Sequence, residues 1–324
     1  MGTPEFSIPS LKMLVEEGYE VIAVVTQPDK PKGRGKKLSS PPVKEYALEK
    51  GILVLQPEKV KTPEFMNQIR SLNPDLLITA AYGKILPAEL LDIPKYGCIN
   101  VHASLLPKYR GAAPINWAII NGESKTGITT MQTDIGMDTG DILLKSEIEI
   151  TDDITAGELE EKLAELGAET LKKTLQKLKD GSLQRIPQQH SEASYAPMLK
   201  KEIGLINWGK TSSEIHNLVR GVNPWPGAYT FYKGKRIKIW KTKKIENLSA
   251  CISGQFHEHS YDVESKLPGT ICSTTKDGIL VKCGEGYILL LELQFDGGKK
   301  LSTSECWHNF AIGEVFYNDE NISG

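Results

Sequence analysis

No run of about 18 apolar residues occurs in this sequence, and no basic stretch leading into an apolar one opens it. The opening M-G-T-P-E-F carries Phe at position six, outside the myristoylation pattern. No membrane partner is expected, and the expected location is cytoplasmic. The five cysteines (Cys98, Cys251, Cys272, Cys283, Cys306) form no C-x-x-C pair, which argues against a zinc ribbon or a disulfide framework. Six histidines include no H-x-x-x-H. The closest pair, His257 and His259, lies in a polar loop without a third ligand, so no metal is expected. G-x-G-x-x-G is absent, which argues against a bound nucleotide. Ser104 sits in no G-x-S-x-G elbow, which weakens a serine-nucleophile reading. The net charge is only -2, so any attraction to a polyanion must come from local clustering.

What is present is an ordinary globular composition, 40% hydrophobic and 25% charged, over 324 residues. That length suits two domains, each able to bury a core. Charge is unevenly spread. Met198 to Glu246 holds eleven Lys/Arg against three acids, and Gln27 to Lys50 holds seven against three. Asn247 to Gly324 has five basic residues and eleven acids. Two basic segments in an otherwise acidic chain favour a polyanionic partner more than either does alone.

The first half alternates short apolar runs with helical patterns, the signature of a parallel sheet covered by helices. Strands are expected at 21–25, 52–54, 75–80, 98–101, 128–132 and 142–144. Helices are expected at 42–50 and 63–71, and a long one follows the capping box Thr155-x-x-Glu158. A Gly/Pro/Lys-rich loop is expected at 28–42. Ile8 to Glu17 already reads as a helix and Met1 to Pro4 as a loop. The expectation is therefore a sheet whose first strand is missing, or a native chain that starts upstream. Residues 185–203 are polar with weak periodicity and are expected to link domains at 1–184 and 204–316. Five short strands in the second domain suit a small OB-like β-barrel. Trp208, Trp225 and Trp240 offer stacking platforms or core packing.

The densest polar information is N-V-H-A-S-L-L-P-K-Y-R-G from Asn100 to Gly111. Asn100 and His102 are two apart on a strand, which puts both side chains on one face at its C-terminal end. Open α/β sheets bind ligands there. An amide and an imidazole side by side suit an oxyanion formed at an attacked carbonyl. Asp138, in G-M-D-T-G-D, supplies a carboxylate able to hold an imidazolium and relay a proton.

This pattern, with Asp138 downstream of the His, resembles the 10-formyltetrahydrofolate-dependent formyltransferases. Three further stretches resemble the branch that acts on charged tRNA: G-T-P-E-F at 2–6, T-Q-P-D-K-P-K-G-R-G-K-K-L at 26–38 and V-N-P-W-P-G-A at 222–228. The resemblance implies a Rossmann-like parallel-sheet domain followed by the OB-like domain, with Asn100, His102 and Asp138 catalytic. It implies a folate co-substrate, 10-formyltetrahydrofolate, against Ala81, Tyr82, Gly83, Ile85 and Leu86 and against Ser104, Leu105, Leu106 and Pro107. It implies formyl transfer to initiator methionyl-tRNA. Arg34, Lys36 and Lys37 would meet the acceptor end, and Lys233, Lys235, Arg236 and Lys238 would lie on the positive tRNA surface. An amino-sugar or purine-pathway acceptor, or an inactive RNA-binding protein, are the alternatives.

Overall fold

The computed structural model describes residues 1–32, 37–245 and 266–318. The chain folds into two compact units. The first comprises Met1–Ile115, Lys125–Ile150 and Glu158–Met198. The second comprises Asn116–Ser124, Thr151–Gly157 and Leu199–Gly324.

The chain begins with helix α1 (Ile8–Glu16), β1 (Val24–Val25), β2 (Lys30–Lys32), β3 (Lys37–Ser39), α2 (Pro42–Glu49), β4 (Val54–Leu55) and α3 (Pro63–Leu72). Pro42 and Pro63 open their helices, where a missing N–H breaks no intrahelical bond. Thr62 caps α3 by accepting from Phe65 N, and Asn73, at φ +45°, ends it in a left-handed turn. Then follow β5 (Leu77–Ala80), α4 (Ala88–Leu91), β6 (Cys98–His102), β7 (Arg110–Gly111), α5 (Pro114–Ile120), β8 (Lys125–Gln132) and β9 (Ile142–Glu149). The long helix α6 (Ala156–Lys179) and the short β10 (Tyr195–Ala196) follow.

Parallel pairing holds for β1 with β4 and for β5 with β6. The far strands differ from the expected parallel arrangement: β6–β8 and β8–β9 are antiparallel. The loop from Thr133 to Asp141 is shorter than the dozen or so residues a parallel crossover needs, so β9 must turn back on β8. The expected 28–42 loop contains the antiparallel pair β2–β3, with Lys30 opposite Ser39. The buried stripe Leu159, Leu163, Leu171 and Leu175 fixes one face of α6. On that face a Cβ at Gly167 would lie 3.1 Å from Val101 Cγ1, so this glycine lets α6 approach β6 closely.

β1 and β5 do not pair with each other. Met1 and Gly2 bridge their C-terminal ends. Gly2 N donates to Val25 O (3.0 Å), Ala80 N to Met1 O (3.0 Å) and the Met1 amine to Ile78 O (2.6 Å). Burial lowers that amine to about 6. Behind them lies a cavity of about 670 Å³, lined by Leu11, Val21, Ala23, Ile69, Leu76 and Ile78 among others.

The second unit opens with α7 (Ser212–Gly221), whose capping box joins Thr211 and Glu214. Its strands are β11 (Ala228–Tyr232), β12 (Lys235–Ile245), β13 (Ile271–Thr275), β14 (Gly278–Lys282), β15 (Tyr287–Phe295) and β16 (Lys300–Ser302), followed by α8 (Thr303–Cys306). They form one antiparallel sheet in the order β11-β12-β15-β14-β13, with β16 on β15. Among the described residues no β11–β13 ladder closes it into the expected barrel. The tail caps those ends instead: Phe231 bridges Tyr317, and Thr270, next to β13, bridges Val315. Trp208 is a core residue, stacked on Phe316 at 5.5 Å and donating Nε1–H to Thr230 Oγ1. Trp240 is half-buried beneath Lys238 and Lys300, and Trp225 is exposed.

Candidate functional site

Strand β6 carries both Asn100 and His102, and its neighbours fix each side chain. Thr79, opposite Asn100 on β5, donates its hydroxyl to Asn100 Oδ1 at 2.8 Å. That contact commits the amide oxygen and leaves Nδ2, a double donor, with no partner among the described residues. His102 is buried. Its Nε2 lies 3.0 Å from the Tyr109 carbonyl oxygen, which can only accept, so Nε2 carries a proton. The other ring nitrogen, Nδ1, stands 3.7 Å from Asp138 Oδ1. That separation is an ion-pair distance rather than a hydrogen bond.

Asp138 itself is held by the backbone: Gly111 N donates to its Oδ2 at 2.8 Å. Gly111 has φ +115°, and a Cβ there would come within 2.8 Å of the Ala196 carbonyl oxygen. Only glycine meets both demands. Asp138 is also left-handed, at φ +53°, as Asp tolerates better than most residues. The structure therefore places Asn100 and His102 on one strand and Asp138 beside His102.

Sequence reasoning missed three contributors. The Tyr109 carbonyl sets the imidazole ring. Ser194 accepts from Arg110 N through its carbonyl and from Tyr109 N through Oγ. Gln188 donates Nε2–H to the carbonyls of Asp138 (2.9 Å) and Gly140 (2.7 Å). Gln188 and Ser194 lie in the polar 185–203 stretch, whose weak periodicity does not mark them. A backbone carbonyl has no sequence signature at all.

The remaining expected residues are dispersed in exposure. Ile85 is exposed, as is Ala81, while Tyr82 and Leu86 are buried. Burial pushes the Tyr82 phenol up to about 12, and its hydroxyl has no hydrogen-bond partner among the described residues. Gly83 adopts φ +75°. Ser104 is buried and donates Oγ–H to Lys108 O, and Leu106 packs into a core cluster with Met131 and Ile142. Leu105 and Pro107 are half-buried.

In the second unit, Lys233 pairs with Glu314 (2.8 Å) and Arg236 with Asp296 (3.4 Å). Lys238 lies over the Trp240 ring, and Lys235 is exposed with no acidic partner among the described residues. Lys37 begins β3, and Arg34, Lys36, His257 and His259 lie outside the described residues. No group of three or more His, Cys, Asp or Glu side chains suited to a metal occurs among the described residues. No helix among them is long and apolar enough to cross a membrane.

Residues 2–175 match the family model described as formyl transferase, and residues 198–311 match its C-terminal domain. The chain is 62% identical over 317 residues to the methionyl-tRNA formyltransferase of Acetivibrio thermocellus, covering 97% of each. It is 61% identical to that of Ruminiclostridium cellulolyticum, covering 94% of each. Among solved structures, the sugar 3N-formyl transferase WlaRD shares the fold at a TM-score of 0.64 and 21% identity, covering 89% of this chain and 94% of that one.

Proposed function

The chain belongs to the methionyl-tRNA formyltransferase family, and we propose that Asn100, His102 and Asp138 carry its reaction. That reaction moves the formyl group of 10-formyltetrahydrofolate to the α-amine of methionyl-tRNA, in support of translation initiation. The observation that best supports the residue assignment is the Thr79–Asn100 contact. It commits the amide oxygen and leaves Nδ2 as a donor on the strand that also carries His102.

In this reading the attacking amine must be neutral, and a free α-amino group titrates at about 7.7 to 8.0. Its lone pair attacks the formyl carbonyl. Asn100 Nδ2 and a protonated His102 Nδ1 donate to the oxyanion that forms. The Asp138 carboxylate, 3.7 Å from Nδ1, stabilises the imidazolium. A water on that carboxylate accepts the amine proton. Collapse breaks the bond to N10, which takes up a proton and leaves as tetrahydrofolate.

The half-buried Leu105 and Pro107 and the exposed Ile85 offer apolar surface for the folate, beside Ala81, Tyr82, Gly83 and Leu86. Buried Ser104 and Leu106 would act by shaping the backbone there. For the tRNA, Arg34, Lys36 and Lys37 would meet the acceptor end of the initiator. Lys233, Lys235, Arg236 and Lys238 would line an OB-like surface within 204–316, apart from the chemistry in 1–184. The cytoplasm, which holds the charged tRNA, is the corresponding location.

The test is single-turnover transfer from 10-formyltetrahydrofolate to charged initiator tRNA, run beside an amino-sugar nucleotide. Formyl-methionine on the tRNA is expected, with loss of rate in Asn100→Ala, His102→Ala and Asp138→Asn. A His102→Ala variant with the wild-type single-turnover rate would refute the site assignment.

A further inference from the structure

We propose that Gln188 and Arg110 form a clamp that positions Asp138, a role that rests on the assignment of Asp138 to the reaction. Arg110 is almost wholly buried, yet its side chain meets no carboxylate among the described residues. Its Nε and Nη2 donate to Gln188 Oε1, at 3.1 and 2.6 Å. His190 Nδ1 lies 3.3 Å from both terminal nitrogens. A guanidinium only donates, so it dictates the orientation of the Gln188 amide. The oxygen must face Arg110, and the amino group must face away. That amino group donates to the carbonyl oxygens of Asp138 and Gly140 together.

The purpose of the arrangement lies in the backbone it grips. Asp138 sits at φ +53°, a left-handed conformation that Asp tolerates better than most residues but that a residue with a Cβ holds at a cost its surroundings must offset. One amide bonding two carbonyls of the same loop supplies that offset. The segment that carries Arg110 also anchors the carboxylate, because Gly111 N donates to Asp138 Oδ2. Backbone and side chain of Asp138 are thus fixed from one origin. The 3.7 Å spacing from His102 Nδ1 follows from both. Gln188 and Arg110 are positioning residues, since Gln188 acts through Asp138 and Arg110 acts through Gln188.

Gln188→Glu separates the clamp's two ends. The carboxylate still accepts from Arg110 but presents an oxygen, not a donor, to the two loop carbonyls. The full chain is assayed for formyl transfer as wild type, Gln188→Glu, Asp138→Asn and the double variant. The expected result is a fall in kcat of tenfold or more in Gln188→Glu, with KM for folate and tRNA unchanged within twofold. In the double variant kcat should fall no more than twofold below Asp138→Asn alone, because the clamp acts only through that residue. Full multiplication of the two losses would overturn the clamp. So would wild-type kcat in Gln188→Glu when Asp138→Asn is impaired. Wild-type kcat in Asp138→Asn would instead overturn the site assignment, and the clamp with it. If Gln188→Glu does not fold, Gln188→Met, which keeps length and loses both polar ends, is read by the same criteria.

Discussion

The Tyr109 carbonyl oxygen stands 3.0 Å from His102 Nε2, so the nitrogen that faces Asp138 is Nδ1. The imidazole is therefore oriented by a backbone group seven residues further along the chain, and the carboxylate tunes a ring that is already aligned. The same principle of one fixed contact freeing another group governs Asn100, and it leads to measurable differences between variants.

Thr79→Val should lower kcat by about two- to tenfold, in line with the roughly 0.5 to 1.5 kcal/mol of a single hydrogen bond. Asn100→Ala should cost more, about 10² to 10³ in kcat, as for loss of an oxyanion donor. KM for both substrates should stay near wild type in each. Steady-state kinetics would check the ranking, and a Thr79→Val loss equal to that of Asn100→Ala would contradict it.

Gly111→Ala should destabilise the fold by about 1 to 3 kcal/mol, because the new Cβ meets the Ala196 carbonyl at a left-handed φ. The same change displaces the N–H that holds Asp138 Oδ2. Activity should thus fall further than the loss of stability explains. Denaturant melts paired with single-turnover rates separate the two effects.

Lys235 and Lys233 make an internal comparison. Lys233 is paired with Glu314 and carries a pKa raised chiefly by that contact, whereas Lys235 has no acidic partner among the described residues. Lys235→Ala should reduce the salt slope of tRNA binding by about one, and Lys233→Ala by less. Affinity measured across a series of salt concentrations reads both slopes.

Glu214 should make stability acid-sensitive. Bonds from Thr211 N, the Lys210 ammonium and the Thr211 hydroxyl lower its carboxyl to about 2 from 4.5. The unfolded chain therefore takes up the proton first as pH falls. The contribution is full above about 4.5 and is lost toward about 2. Its side chain is half exposed, so solvent screening limits it to about 1 kcal/mol or less. Glu214→Gln should flatten the stability profile between about pH 5 and 3, followed by denaturant midpoint.

The alternation of apolar runs made most strands of both units legible, and the spacing of two between Asn100 and His102 announced their shared face. Asp138 was legible from its glycine-bracketed loop and its resemblance. The antiparallel return of β8 and β9 was not, because strand direction depends on loop length and partner rather than on a strand's own residues. Nor were Gln188 and Ser194, polar residues in an aperiodic stretch whose value arises only where the chain brings them beside β7. The antiparallel sheet of the second unit was legible strand by strand. The bridging of its ends by the tail at 315–317, in place of a β11–β13 ladder among the described residues, was not, because that tail carries no strand signal.

The cavity between β1 and β5 bears on how this polypeptide behaves in concentrated solution. Beyond the bonds made by Met1 and Gly2, each strand turns toward it an edge with no ladder partner among the described residues, and Leu11, Val21, Ile69 and Leu76 line part of the walls between. Unpaired strand edges are templates for pairing with an extended segment, whatever its source. At high protein concentration the most abundant source is another molecule of the same chain. Handling at low concentration, with light scattering as the monitor, is the practical corollary.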